Sequence, residues 1–303
     1  MSIEIPNSKF NVTLSLSKGQ NPNYKMKRLL SIELQKIWMN KASRVLTLAY
    51  FILLSFIALI ASIKFDLGIF KFHLAEMGIF NFPYIWHFNT YIAAILKLFL
   101  AIVIVSMMAN EYSYGTLKQN LIDGMSKQEF ITSKFITVVL FAFCSTVFVF
   151  IMSLILGFSF SSYTELSIVF SDLEYLLAFF IKLVGFFSFC LFLGILVKRS
   201  AFALGFLLVW NILEAIAKGI LNFKIFPDSI FADNFTQFFP LESMSNLIVE
   251  PFTRLSVVKN VGQQIGVENI KDYGVHFSSI IIVLAWTSIF MLLSYKLLKN
   301  RDL

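Results

Sequence analysis

The sequence predicts an all-α membrane protein: six transmembrane helices, an amphipathic helix ahead of the first, and a short helix between the second and third. Three observations carry this. Of the 303 residues 58% are hydrophobic and 36 are Phe, with a mean hydropathy of +0.78, whereas soluble domains hold about 45–50% apolar residues. Six runs reach the roughly 20 apolar residues that a bilayer-spanning helix needs, at about 44–63, 84–108, 135–158, 173–197, 201–221 and 277–298. Between the second and third runs lies a polar island, 110–134, with helix start and stop signals of its own.

The elements follow in order. Residues 1–25 are polar and aperiodic, without the apolar core of a signal peptide. They read as a disordered tail, and Met26-Lys-Arg-Leu-Leu as a start of its own. Residues 26–303 read as one integral domain. From Lys27 to Asn40, Leu29, Leu30, Ile32, Leu34, Ile37 and Trp38 alternate with Lys27, Arg28, Glu33 and Lys36, the pattern of a basic amphipathic helix in the headgroup layer. Within the island, Thr116-Leu-Lys-Gln119 and Ser126-Lys-Gln-Glu129 each place a hydroxyl three residues before a Glu or Gln, the spacing of a capping box. Asp123-Gly124 supplies a stop, because glycine accepts the left-handed conformation without a Cβ penalty. A short helix from Leu117 to Ile122 is expected, and a second from Lys127 straight into the third span.

Only Lys198-Arg199-Ser200 separates spans four and five, which requires a tight helical hairpin. The segment 222–276, with Pro227, Pro240, Pro251 and the aromatic patch 235–239, suggests short helices or a re-entrant dip. Lys and Arg concentrate at both termini, in the island and in the 198–200 turn. The positive-inside rule therefore makes those parts cytoplasmic and the long loop external, in a multi-pass protein of the cell membrane.

Composition and motifs exclude several functions. The net charge of +7 collects beside apolar runs rather than on a basic face with interleaved aromatics, which argues against nucleic acid. Cys144 and Cys190 lie in apolar runs without CxxC spacing, so neither a disulfide framework nor a zinc site is expected. No GxxxxGK[ST], HExxH or GxSxG occurs. His73, His87 and His276 fall near span ends and read as interfacial anchors. No catalytic residue, metal or cofactor is assigned to this chain. Ionisable residues inside the spans are costly and face bundle interiors or cavities. They are Lys97 in the second span, Glu174 and Lys182 in the fourth, and Glu214 and Lys218 in the fifth. Lys97 is the least comfortable; Lys182 and Glu174 are within snorkelling reach of the interface. Glu214 and Lys218 have the order and spacing of a helical ion pair, with Asn211 on the same face. Lys97, Asn211, Glu214 and Lys218 either line a translocation path or, for the last two, neutralise each other near the headgroups.

Leu117 and Leu121 form an apolar pair at i,i+4 with Lys118, Gln119 and Asn120 pointing elsewhere, a knob suited to docking. At these residues the chain resembles the permease subunits of the type 2 family of ATP-binding-cassette transporters, the mostly exporting branch. The resemblance rests on Glu33-Leu-Gln-Lys-Ile-Trp38 with Asn40-Lys41, on Glu111-Tyr-Ser-Tyr-Gly-Thr116, and on Ser126-Lys127 and Ser133-Lys134. It implies a six-span fold, a second permease chain, and a separate ATPase subunit that holds ATP and magnesium. It also implies a connecting helix containing Lys36, Trp38 and Lys41, and a coupling region of Glu111, Gly115, Thr116, Leu117, Leu121, Ser126 and Lys127 that seats on the ATPase. Cargo would be amphiphilic or peptide-like. Two other readings stand beside this one: a membrane-embedded lipid-modifying enzyme built on His87, Glu174 and Lys182, and a non-transporting membrane anchor of a larger machine.

Overall fold

The computed structural model describes residues 22–63, 65–67, 70–72, 78–226, 234–255, 258 and 271–301; His73 and residues 1–21 lie outside them. An amphipathic helix α1 (Pro22–Met39) precedes the first long helix α2 (Lys41–Ser62), and a short antiparallel ladder pairs β1 (Phe65–Leu67) with β2 (Phe70–Phe72). Then come α3 (Tyr84–Ser113), α4 (Thr116–Ile122), α5 (Lys127–Phe160), α6 (Leu166–Val169), α7 (Glu174–Val197), α8 (Ser200–Ile220), α9 (Pro240–Asn246) and α10 (Phe277–Lys299). Six of these segments are long and apolar enough to cross a membrane, and the chain is a multi-pass membrane protein. Each long helix falls where an apolar run was expected. The helix ends differ because α3 and α5 extend past their apolar runs into the island, and α1 begins at Pro22, inside the stretch expected to be irregular.

The fold is arranged around α7. Over an 18-residue apolar stretch of its span 83% of residues are buried within the chain, against 17% for the same length in the α2 span and 11% in the α8 span. Helices α3, α5, α8 and α10 pack around it. Small residues permit the closest approaches, as in membrane bundles generally, where packing replaces the hydrophobic driving force between helices. At Gly194 a Cβ would lie 2.9 Å from Cβ of Met108 and 3.3 Å from the carbonyl of Val105, so α3 and α7 meet there almost backbone to backbone. Polar pairs supplement the packing. Asn89 donates to Ser153 Oγ across α3 and α5 at 2.8 Å, and the Tyr50 hydroxyl bonds that of Ser145 across α2 and α5.

Local signals set the element ends. Asn40 caps α2 by accepting from the Ser43 amide, and Ser126 and Glu129 form the reciprocal capping box at the start of α5. The 198–200 turn is the expected tight hairpin, with Lys198 left-handed at the end of α7. Arg301, just beyond α10, donates to the carbonyls of Ile195 and Leu196, so a cation caps the free end of the central helix. On the opposite side of the bundle α9 packs down through Leu241 and Met244, with Leu247 and Ile248 beside it, and Trp286 of α10 donates to the carbonyl of Phe238.

Replacing Gly194 by Val overpacks the α3–α7 contact and is expected to cost about 1–3 kcal/mol, read as a lower melting temperature in detergent. Gly205→Ala on α8, where nothing lies within 4 Å of the added carbon, is expected to leave the melting temperature unchanged or slightly higher.

Candidate functional site

Where α1, α3, α4 and α5 converge, three buried charged side chains, Glu33, Glu111 and Lys134, meet a fourth, Lys36, that is partly exposed. Lys134, on α5, has no solvent exposure. Its ammonium lies 2.5 Å from Glu33 Oε2 on α1 and 2.6 Å from Glu111 Oε1 on α3. Lys36, one turn along from Glu33, reaches the same Glu111 oxygen at 2.9 Å and Glu33 Oε1 at 3.5 Å. Glu111 Oε2 accepts from the Thr116 hydroxyl at 2.5 Å. Two glutamates thus balance two lysines, and four helices are joined at one point. Beside the cluster is a cavity of about 410 Å³, lined in part by Glu33, Lys36, Glu111 and Thr116.

The first of the two expected capping boxes does not form. The Thr116 side chain makes no cap bond, and Gly115 occupies the N-cap position in the left-handed region at φ 67°. A buried carboxylate needs a donor for its second oxygen, and Glu111 takes the Thr116 hydroxyl away from the helix end. The stop behaves as expected: Met125 N–H bonds Asn120 O at 3.0 Å and Gly124 N–H bonds Leu121 O at 3.2 Å, the paired bonds of a Schellman end, with Gly124 at φ 94°.

The apolar knob is also placed differently. Leu117 is only 2% exposed and belongs to the chain's own core, with half-buried Leu121 packed beside it. The apolar side chains that α4 and its entry turn present outward are Ile122, 74% exposed, and Tyr114, 73% exposed. Ser126 is spent on capping, while Lys127 donates to the carbonyls of Lys299 and Arg301 and ties α5 to the end of α10. Trp38 is exposed at the edge of α1, and Lys41 is exposed at the start of α2.

At the other end of the bundle the expected Glu214–Lys218 pair is absent. Glu214 instead accepts from the backbone amides of Leu241 and Glu242, the first turn of α9, and from the Trp210 indole. The unpaired N–H groups of a helix start are a strong competitor for a carboxylate. Lys218 turns to Glu242 at 2.5 Å. Both residues therefore fasten α9 to α8. His87 is fully buried; its Nε2 bonds the Val249 carbonyl at 2.7 Å, its Nδ1 faces Arg254 at 3.0 Å, and its ring stacks on Tyr175. The Arg254 segment is held in turn by Glu250, which accepts from the amides of Phe252 and Thr253 and from Lys271. Although partial burial works the other way, these hydrogen bonds hold the Glu250 carboxyl below its usual range. Glu174 is exposed, and His276 lies 3.1 Å from Asp272 at the surface. Among the described residues, no cluster of three or more His, Cys, Asp or Glu is arranged to hold a metal ion.

Between these ends, Lys97, Lys182 and Asn211 line a common cavity of about 320 Å³ enclosed by α3, α7, α8 and α9. Lys182 was not grouped with Lys97 and Asn211 by sequence reasoning, and Glu33 and Lys134 were not assigned a role. A signal for the latter two exists. Glu33 sits between buried Leu29 and Ile37, and Lys134 between buried Phe130 and Val138, each the charged member of an otherwise apolar i,i+4 stripe.

The arrangement defines a multi-pass helical membrane protein with a charge-locked junction at one end and a cationic cavity in its middle. Residues 51–303 match the family described as a protein of unknown function, DUF2705, and the chain belongs to that family. The comparison with curated proteins gives no match.

Removing the buried cation tests the junction. Lys134→Met leaves Glu33 and Glu111 facing each other with only Lys36 between them and is expected to destabilise by about 3–5 kcal/mol. Lys127→Ala, which breaks two bonds to backbone carbonyls, one exposed and one partly buried, is expected to cost less, about 1 kcal/mol. Thermal unfolding of the two variants in the same detergent checks the contrast.

Proposed function

We propose that this chain is the membrane-spanning permease subunit of a type 2 ATP-binding-cassette exporter, working with a second permease chain and a separate ATPase subunit that binds and hydrolyses ATP. The observation that carries the reading is the mounting of α4. This seven-residue helix is set between two of the longest helices, stopped by a Schellman end and tied at its start to a buried ion cluster. A helix so held transmits displacement to α3 and α5, where an irregular loop would absorb it. Its exposed surface combines Tyr114, Lys118, Gln119 and Ile122, an apolar contact with a polar rim. The sequence resemblance assigns the same stretch to ATPase coupling.

In this reading α1 and α4 face the cytoplasm, as the distribution of Lys and Arg favours. Closure of the ATPase pair pushes α4, and the push passes through Thr116, Glu111 and Lys134 into the spans. Leu117 then serves as the internal anchor of the coupling helix, and Tyr114 and Ile122 as its contacts with the partner.

Purification of the tagged chain from its native membrane, followed by mass spectrometry, is expected to recover a P-loop ATPase in stoichiometric amount. Tyr114→Asp with Ile122→Asp is expected to lose that ATPase while the chain still inserts and melts normally. Normal recovery of the ATPase by the double variant contradicts the docking surface, and recovery of no ATPase by the unaltered chain contradicts the permease reading.

A further inference from the structure

Among the described residues, charges inside the bundle are paired within the chain, with one exception. Glu33, Lys36, Glu111 and Lys134 form the junction cluster, Glu214 caps α9, and Lys218 pairs with Glu242. Among the described residues, no carboxylate lies within ion-pair distance of Lys97 or Lys182. Lys182 is 4% exposed, and among the described residues its only hydrogen bond is to the carbonyl of Ser245 at 3.3 Å. Lys97 rests its ammonium over the ring of Phe186, 4.5 Å from the centroid. Both line the same cavity, with the Asn211 amide and the Tyr91 side chain at its walls. Two cations facing one apolar-walled space inside a membrane protein are expensive unless something negative completes them.

We infer that this cavity binds the anionic headgroup of a membrane amphiphile, a phosphate or carboxylate carried on an apolar tail. Size and position both favour it. The cavity, about 320 Å³, has room for roughly ten water volumes, enough for a small headgroup and the start of its tail. Lys97 lies thirteen residues into α3, about 20 Å along the helix, well inside the apolar layer, where a free hydrophilic anion has no ready route. The outer rim is apolar and exposed: Ile95 and Leu98 on α3, and Leu208 on α8, are 54%, 47% and 59% exposed. A tail can therefore leave the cavity between α3 and α8 toward the hydrocarbon while the headgroup stays on the lysines. As cargo, such a molecule supplies the substrate class of the proposed exporter, and that assignment rests on the permease reading; binding itself does not.

The test uses the purified full chain in neutral detergent, titrated with phosphatidylglycerol or phosphatidylcholine of identical acyl chains and read by native mass spectrometry. At least about a tenfold preference for phosphatidylglycerol is expected in the native chain and in Lys97→Arg with Lys182→Arg. That preference is expected to disappear in Lys97→Met with Lys182→Met, whose folding is checked by its melting temperature. If the Met variant fails to fold, the single substitution Lys97→Gln, at a residue that is only partly buried, decides, with a several-fold loss expected. Equal binding of the two lipids by the native chain overturns the inference, as does an undiminished preference in the folded charge-free variant. Displacement of the lipid by inorganic phosphate at matched concentration overturns the requirement for a tail. The assay contains no ATPase and measures no transport, so failure here leaves the permease reading standing, and failure of ATPase recovery leaves the binding site standing.

Discussion

The constraint on which the rest of the structure depends is that Lys134 is charged and wholly buried. An ammonium in a low-dielectric interior loses its hydration, and only close carboxylates with good geometry offset the loss. Glu33 and Glu111 provide that geometry from two different helices. Burial of one lysine therefore fixes where α1 lies against α3 and α5. Because Glu111 carries a second oxygen, the same constraint reaches Thr116 and sets how α4 begins. A helix that composition alone would leave floating in the headgroup layer becomes part of the bundle, and a seven-residue helix that could not stand alone acquires a fixed base.

The far end of the bundle follows the same logic with weaker parts. Glu214 and Lys218 each take a partner on α9, and His87 and Arg254 clasp the segment that follows. These contacts are more exposed than those around Lys134. The first two fasten α9 to α8, and Leu241, Met244 and Ser245 of α9 line the cavity that contains Lys97 and Lys182. The molecule thus has one tightly locked end, one laced end, and between them a space whose two lysines no carboxylate among the described residues balances. That distribution suits a protein that must pass a mechanical signal through one end while a ligand occupies its middle.

The fold was largely legible because its determinants are local. Six apolar runs, the Ser126 box and the Gly124 stop are each set by neighbouring residues, and each appears as expected; the Asn40 cap of α2 is equally local. What the sequence concealed was tertiary competition. Thr116 has the spacing of a capping residue, but a buried carboxylate five residues earlier claims its hydroxyl. Glu214 and Lys218 have the spacing of an ion pair, but a helix start and Glu242, brought in from the following loop, outbid that pairing. Leu117 looks like an outward knob only until the packing of α4 against α3 is known. The charged residues on the Leu29–Glu33–Ile37 and Phe130–Lys134–Val138 stripes carried a usable signal. A lone charge on a strict apolar stripe implies a partner on a facing stripe, although periodicity does not say which one.

The buried cluster, rather than loop packing, holds α4 in place. Amide hydrogen exchange in detergent, comparing the native chain with Glu111→Gln, tests it most directly. In the variant, amides of residues 116–125 are expected to lose protection by about tenfold or more while the core of α7 keeps its own. Unchanged protection across 116–125, with the variant folded, would contradict it.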